Sequence, residues 1–109
     1  MNDQSNPKFL LFYRKILDFD PVPFLQKVRC PTLVLYGELD SLVPVKGNRQ
    51  KLEDALKENK KVDVRVIPKA DHALMLSKTG SLEEFPFQNQ FAPDFFKTLT
   101  RWIREVTTR

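Results

Sequence analysis

The sequence predicts an α/β protein built on one βαβ unit, two parallel strands flanked by helices. Three observations carry this. Residues 31–36, PTLVLY, are apolar without a break from Leu33 to Tyr36, the pattern of a strand covered on both faces inside a parallel sheet. Residues 62–67, VDVRVI, alternate Val62, Val64 and Val66 with Asp63 and Arg65, the pattern of a strand with one wetter face, nearer a sheet edge. Between them Pro44 opens a helical stretch to about Glu58, with Val45, Leu52, Ala55 and Leu56 on its inward side. Strand, helix and strand within about 36 residues predict a right-handed crossover.

The remaining elements follow in chain order. Residues 1–7 are polar and expected to fray. From Pro7 to Leu17 the pattern is helical: Phe9, Phe12, Tyr13 and Ile16 share a face, and Leu10, Leu11 and Leu17 widen it. Only Lys8, Arg14 and Lys15 suit water, so this helix is expected to need cover on more than one side. Residues 18–28, DFDPVPFLQKV, read as a proline-rich turn with a short helical turn at Pro23–Lys27. After Pro68 a loop carries His72, and a short apolar helical piece is expected at Ala73–Ser77. Residues 79–91 are irregular. Pro93 opens a last helix, 93–106, in which Phe95, Phe96, Leu99, Trp102, Ile103 and Val106 keep helical spacing. The aromatics from Phe85 to Phe96 are expected in core or interface, with an acyl pocket as the alternative. There is no repeat, low-complexity tract or linker, and residues 1–109 read as one domain.

Two strands are too few for a parallel sheet in water. The first strand has the composition of an interior strand, yet the chain offers it one neighbour. Its other edge is a row of open backbone donors and acceptors. The sheet is therefore expected to be completed by another chain, or the 109 residues are part of a larger protein.

Composition narrows the function classes. The net charge of +4 is spread along the chain, and its densest basic group, Lys57, Lys60 and Lys61, has Glu58 inside it. No basic run alternates with aromatics, so no nucleic-acid partner is expected. Cys30 is the single cysteine, which excludes an internal disulfide framework; ahead of a strand, it is expected to be a small buried thiol. Cys30 and His72 lie far apart and do not make metal-ligand spacing, so no metal site and no cofactor are expected. No stretch reaches the about 20 apolar residues of a membrane span, so no membrane partner is expected. MNDQSNPK has no signal-peptide pattern, which with the lone cysteine favours a cytoplasmic location for this chain.

Candidate chemistry lies just beyond the two strands. In open α/β sheets functional groups gather at the carboxyl ends of strands. Asp40 follows the first strand in VLYGELDSLVP, and His72 follows the second in VIPKADH. Parallel neighbours bring both loops to one rim. A carboxylate that accepts the imidazole Nδ1–H fixes the tautomer and stabilises the imidazolium. An isolated Asp before a helix is ordinarily a cap or turn residue, and an isolated His is ordinarily structural; the shared rim lifts the pair above either alone. Asp71 competes for His72 but is too near in sequence to reach the ring easily.

These residues resemble a known family. CPTLVLYGELDSLVPV resembles the late strand and acid loop of the α/β-hydrolase fold, and VDVRVIPKADHALM the following strand and histidine loop. The likeness is greatest to the esterase and peptidase-like branch, the dienelactone-hydrolase and prolyl-oligopeptidase-like group. DFDPVPFLQKVRCPTL resembles that branch's lead-in, Asn48 and Leu52 match the helix after the acid, DHALMLSKTGSLEEF resembles the histidine loop, and PDFFKTLTRWI the last helix. The resemblance covers roughly residues 18–105. It implies a partial α/β-hydrolase fold, with Asp40 as triad acid and His72 as general base for hydrolysis of a carboxylic ester. A Gly-x-Ser-x-Gly nucleophile elbow is also implied, upstream of the acid. The glycines here, at 37, 47 and 80, bracket no serine. Ser41, Ser77 and Ser81 are poor nucleophiles, the latter two expected at the surface. The chain thus reads as the C-terminal part of a serine esterase with two triad members, inactive alone. It is expected to pair with a second copy through the open edge of strand 31–36, or with an N-terminal hydrolase half that supplies the serine.

Overall fold

The computed structural model describes residues 6–108. The expectation of fraying for residues 1–7 falls mostly outside them; Asn6 and Pro7 are ordered as the start of a helix. Helix α1 (Pro7–Leu17) is followed by α2 (Val22–Leu25), β1 (Thr32–Gly37), α3 (Val45–Ala55), β2 (Val62–Ile67) and α4 (Pro93–Thr107), with a short 3-10 turn at Phe85–Phe87. β1 and β2 pair in parallel, Thr32 opposite Val62 through Gly37 opposite Ile67. Among the described residues no third strand joins them, so one edge of β1 is open.

The elements obey local rules. Asn6 caps α1, its side chain accepting the Lys8 N–H at 2.9 Å, and Pro7 occupies the first turn, where its missing N–H costs nothing. β1 is held at its entrance by Asn59, a buried side chain whose Nδ2 donates to the Cys30 carbonyl and whose Oδ1 accepts from Lys61 N–H, both at 2.9 Å. The exit of α3 is thus tied to the starts of both strands, which fixes their register.

The core lies towards the carboxyl ends of the strands. Ile67, Ala70 and Ala92 are buried, with Leu35, Leu74 and Phe95 packed against them. Ile67 ends β2, Ala70 begins the histidine loop, and Ala92 immediately precedes α4. Among the described residues packing is therefore tightest under the rim and thinnest at α1.

Several expectations need correction. The helix expected from Pro44 to Glu58 is regular only from Asn48: Lys46 has ψ 123° and Gly47 has φ 85°, which breaks the first turn, and the helix ends at Ala55. Gly47 permits that left-handed step, whereas Cβ-bearing residues resist it. The helical piece expected at Ala73–Ser77 does not form. Leu74 takes φ 62°, the Asp71 carboxylate accepts the N–H groups of Ala73 and Met75, and isolated bridges join Ala70 to Leu76 and Met75 to Phe91. The local side-chain bonds replace helical ones. Cys30 is exposed rather than buried, because it lies before the strand proper. Ser77, expected at the surface, is buried. Phe85, Phe87, Phe91 and Phe96 are exposed, and only Phe95 of that group packs on the core. α1 receives no cover among the described residues: Leu10, Leu11, Phe12, Tyr13, Ile16 and Leu17 are all at least half exposed.

Candidate active site

The turn after β1 makes Asp40. Glu38 N–H donates to the Ile67 carbonyl, Leu39 N–H to the Ala70 carbonyl, and Asp40 N–H back to Gly37, at 2.8–3.1 Å. The first two bonds cross from one strand end to the other. Gly37 has to be glycine here, since a Cβ would run into the Ala70 and Asp71 carbonyls. The acid loop is thereby pressed against the backbone of the histidine loop by main-chain bonds alone.

The Asp40 carboxylate has its two oxygens divided between two tasks. Oδ1 accepts the backbone N–H groups of Leu42 at 2.9 Å and Val43 at 2.8 Å, an Asx turn that locks the side chain. Oδ2 lies 2.9 Å from His72 Nδ1. The Asp40 side chain is 6% exposed and that of His72 is 53% exposed. Burial acts to raise the Asp40 pKa. The hydrogen bonds from Val43, His72 and Leu42 outweigh it, and the carboxyl sits below its ordinary range. An ionised carboxylate can only accept, so Nδ1 carries the proton. In the neutral ring Nε2 is then the acceptor.

The histidine loop is built to present that ring. Lys69 takes φ 58° and Leu74 φ 62°, so the chain reverses on either side of His72. Asp71 Oδ1 accepts from Ala73 and Met75 N–H, both at 2.9 Å, while Asp71 N–H donates to the Met75 carbonyl at 3.0 Å. Asp71, the competitor for His72, is thus committed to its own loop. Asp40 and His72, the two sequence-derived candidates, are brought into contact.

Sequence reasoning missed the clamp that holds both loops. Ser41 Oγ donates to the Gly80 carbonyl at 2.9 Å, linking residues 39 positions apart. Gly80 has φ 75° and packs so closely that a Cβ would collide with the Leu39 carbonyl. Glu84 closes the segment behind it. Its carboxylate accepts from Lys78 N–H, Thr79 N–H, Thr79 Oγ and Ser77 Oγ at 2.8–2.9 Å. Those bonds, the Lys78 and Thr79 N–H groups first, pull the Glu84 pKa down to about 2. The signal in the sequence is Ser77-Lys78-Thr79-Gly80 followed by an acid, a set of short polar side chains with a glycine, which reads as an ordinary loop.

Among the described residues no serine is set up as a nucleophile on this rim. Ser41 is bonded to Gly80, Ser77 to Glu84, and Ser81 Oγ accepts the Glu83 N–H. Cys30 is at the other end of β1, about 20 Å away along a six-residue strand. The site as described is an acid and a histidine, rigidly oriented, with an apolar rim from Leu42, Leu82 and Phe85.

Comparison with known proteins agrees with this reading of the fold. The family model for the dienelactone hydrolase family matches residues 17–107. No curated protein and no solved structure gives a significant match.

Proposed function

The chain belongs to the dienelactone hydrolase family, a hydrolase family of α/β-hydrolase type, and from that premise we propose that it supplies the acid and the general base of a Ser-His-Asp triad for carboxylic-ester hydrolysis. The observation that carries the proposal is the 2.9 Å contact between Asp40 Oδ2 and His72 Nδ1 at the carboxyl ends of two paired parallel strands. Asp40 holds the ring so that Nε2 accepts the proton of the nucleophilic hydroxyl. The imidazolium then gives that proton to the oxygen of the leaving alcohol, and in the second half of the cycle the ring activates water in the same way. Asp40 stays ionised throughout.

The nucleophile and the oxyanion-hole donors come from outside these 109 residues. Alone the chain has no meaningful esterase activity, since the acid and base have nothing to activate. The test joins the chain to a segment carrying a Gly-x-Ser-x-Gly elbow, by co-expression or fusion, and follows hydrolysis of an aryl ester. Turnover on joining, lost with His72→Ala, is the expected result. Two results overturn the proposal: hydrolysis by the chain alone that vanishes with His72→Ala, and a folded joined protein that forms a covalent serine adduct yet is indifferent to His72.

The open edge of β1 favours a second role for the same chain. Thr32–Gly37 contains no charge and no proline, so nothing on that edge discourages strand pairing. Antiparallel pairing of two β1 edges would give a four-stranded sheet with two-fold symmetry. Sedimentation of the chain distinguishes a self-paired dimer from a monomer whose edge awaits a strand of the nucleophile-bearing segment.

A further inference from the structure

A cavity of about 260 Å³ opens beside the His72 ring. Its walls come from three separate segments: Leu42 in the acid loop, Ala73 beside the histidine, and Gly80, Leu82 and Phe85 beyond the clamp. Leu42, Leu82 and Phe85 are each more than half exposed. Three large apolar side chains are thus open to solvent around His72.

The polar groups in the lining are turned to partners within the protein. Ser41 Oγ donates to the Gly80 carbonyl, Ser81 Oγ accepts the Glu83 N–H, and Asp71 Oδ1 accepts from Ala73 and Met75. What the cavity offers a ligand is therefore apolar contact, with the His72 ring at one side. Its shape is set in advance, because the Ser41–Gly80 bond and the Glu84 knot hold the walls in register. The volume falls below the about 300–1,000 Å³ of pockets that take in a whole drug-sized molecule, and suits one limb of a substrate.

We infer that this cavity binds the alkyl chain of the leaving alcohol, so that the ester hydrolysed is one of an aliphatic alcohol. This inference rests on the reading of His72 as the general base. The base hands its proton to the leaving oxygen and must lie against it, so a pocket that opens on the imidazole receives the carbon chain attached to that oxygen. The acyl chain is attached to the reacting carbon rather than to the leaving oxygen, and so lies away from the group to which the base hands its proton.

The test is a titration of the chain with straight 1-alkanols from ethanol to hexanol, followed by 1H–15N chemical shifts. Saturable shifts should centre on Leu42, His72, Ala73, Leu82 and Phe85. Affinity should rise about threefold to fourfold for each added methylene until the cavity is full. Leu82→Trp and Ala73→Leu, both at exposed positions, should weaken hexanol binding at least tenfold, while Leu11→Lys on α1, outside the lining, should leave it within twofold. Shifts that instead follow the apolar face of α1, or that ignore chain length, or that survive both cavity-filling variants, overturn the subsite. Tighter binding of hexanoate than of hexanol overturns its assignment to the alcohol side. Length-dependent binding at these residues supports the subsite whether or not the joined enzyme turns over. Its absence from a chain whose joined form hydrolyses esters overturns the subsite and leaves the triad standing.

Discussion

The rim that carries Asp40 and His72 and the N-terminal limb that carries α1 are both rich in apolar residues, and they are stabilised in opposite ways. At the rim, backbone bonds from Glu38 to Ile67 and from Leu39 to Ala70, the Ser41–Gly80 bond and the Glu84 knot make a closed set, and Asp40 is 6% exposed. In the limb, α1 satisfies its own backbone and its cap, yet Leu17 is 67% exposed and its neighbours little less. The rim is complete by hydrogen bonding between loops. The limb has a helix's internal bonds and lacks the tertiary burial that gives most helices their stability. The family match begins at residue 17, so the self-sufficient part and the matched part nearly coincide.

The sharpest way to break this comparison is at His72. In the joined enzyme His72→Ala should lower kcat by at least about 10⁴-fold, and Asp40→Asn by about 10⁴-fold through loss of the correct tautomer. Because the His72 side chain is 53% exposed, urea unfolding of the chain should move by less than about 1 kcal/mol. A large stability loss with little effect on turnover would make the pair structural.

Next come two glycines with similar backbone angles. Gly80 at φ 75° abuts the Leu39 carbonyl, whereas Gly47 at φ 85° has open space. Gly80→Ala should cost about 2–4 kcal/mol in urea unfolding, strain plus collision. Gly47→Ala should cost about 1 kcal/mol, strain alone. Equal losses would mean the rim has no closer packing than the limb of α3.

The pH dependence of unfolding should report the rim as well. Asp40 and Glu84 both have folded-state pKa values below their unfolded ones, so the unfolded chain binds more protons as pH falls. Their contribution is fully present above the ordinary carboxyl range. It is lost as pH drops from about 4.5 towards about 2, the window set by Glu84. Glu84→Gln should flatten that part of the curve, and an unchanged slope would remove Glu84 from the clamp.

The smallest effect is expected in the limb. Leu11→Lys or Phe12→Lys should change unfolding by no more than about 0.5 kcal/mol in urea titration, since both side chains are exposed. A loss of 2 kcal/mol or more would show that α1 is packed in solution.

What was legible in the sequence follows the same division. The places of β1, within one residue at each end, and of β2, and the meeting of Asp40 with His72, could be read because strand period and strand-end placement are local rules with a topological consequence. Ala73–Ser77 misled because apolar residues there look helical, while Asp71 captures two of the N–H groups a helix would need. Cys30 is exposed against expectation because it precedes the strand proper, and nearness to a strand does not bury a side chain. The Phe85–Phe96 aromatics were expected in a core that, among the described residues, does not extend over them. Glu84 was invisible because its partners are backbone N–H groups, which leave no mark on composition.

One backbone detail bears on time rather than structure. Glu38 N–H and Leu39 N–H end on carbonyls of the other loop, and Lys69 N–H ends on Glu38 Oε1 at 3.1 Å. Neither loop can open while the other stays shut. Their amides should therefore exchange with solvent deuterium at one common rate, as a single cooperative unit, although more than 30 residues separate them in the chain. Asp40 and His72 are then lost and regained together in one opening event.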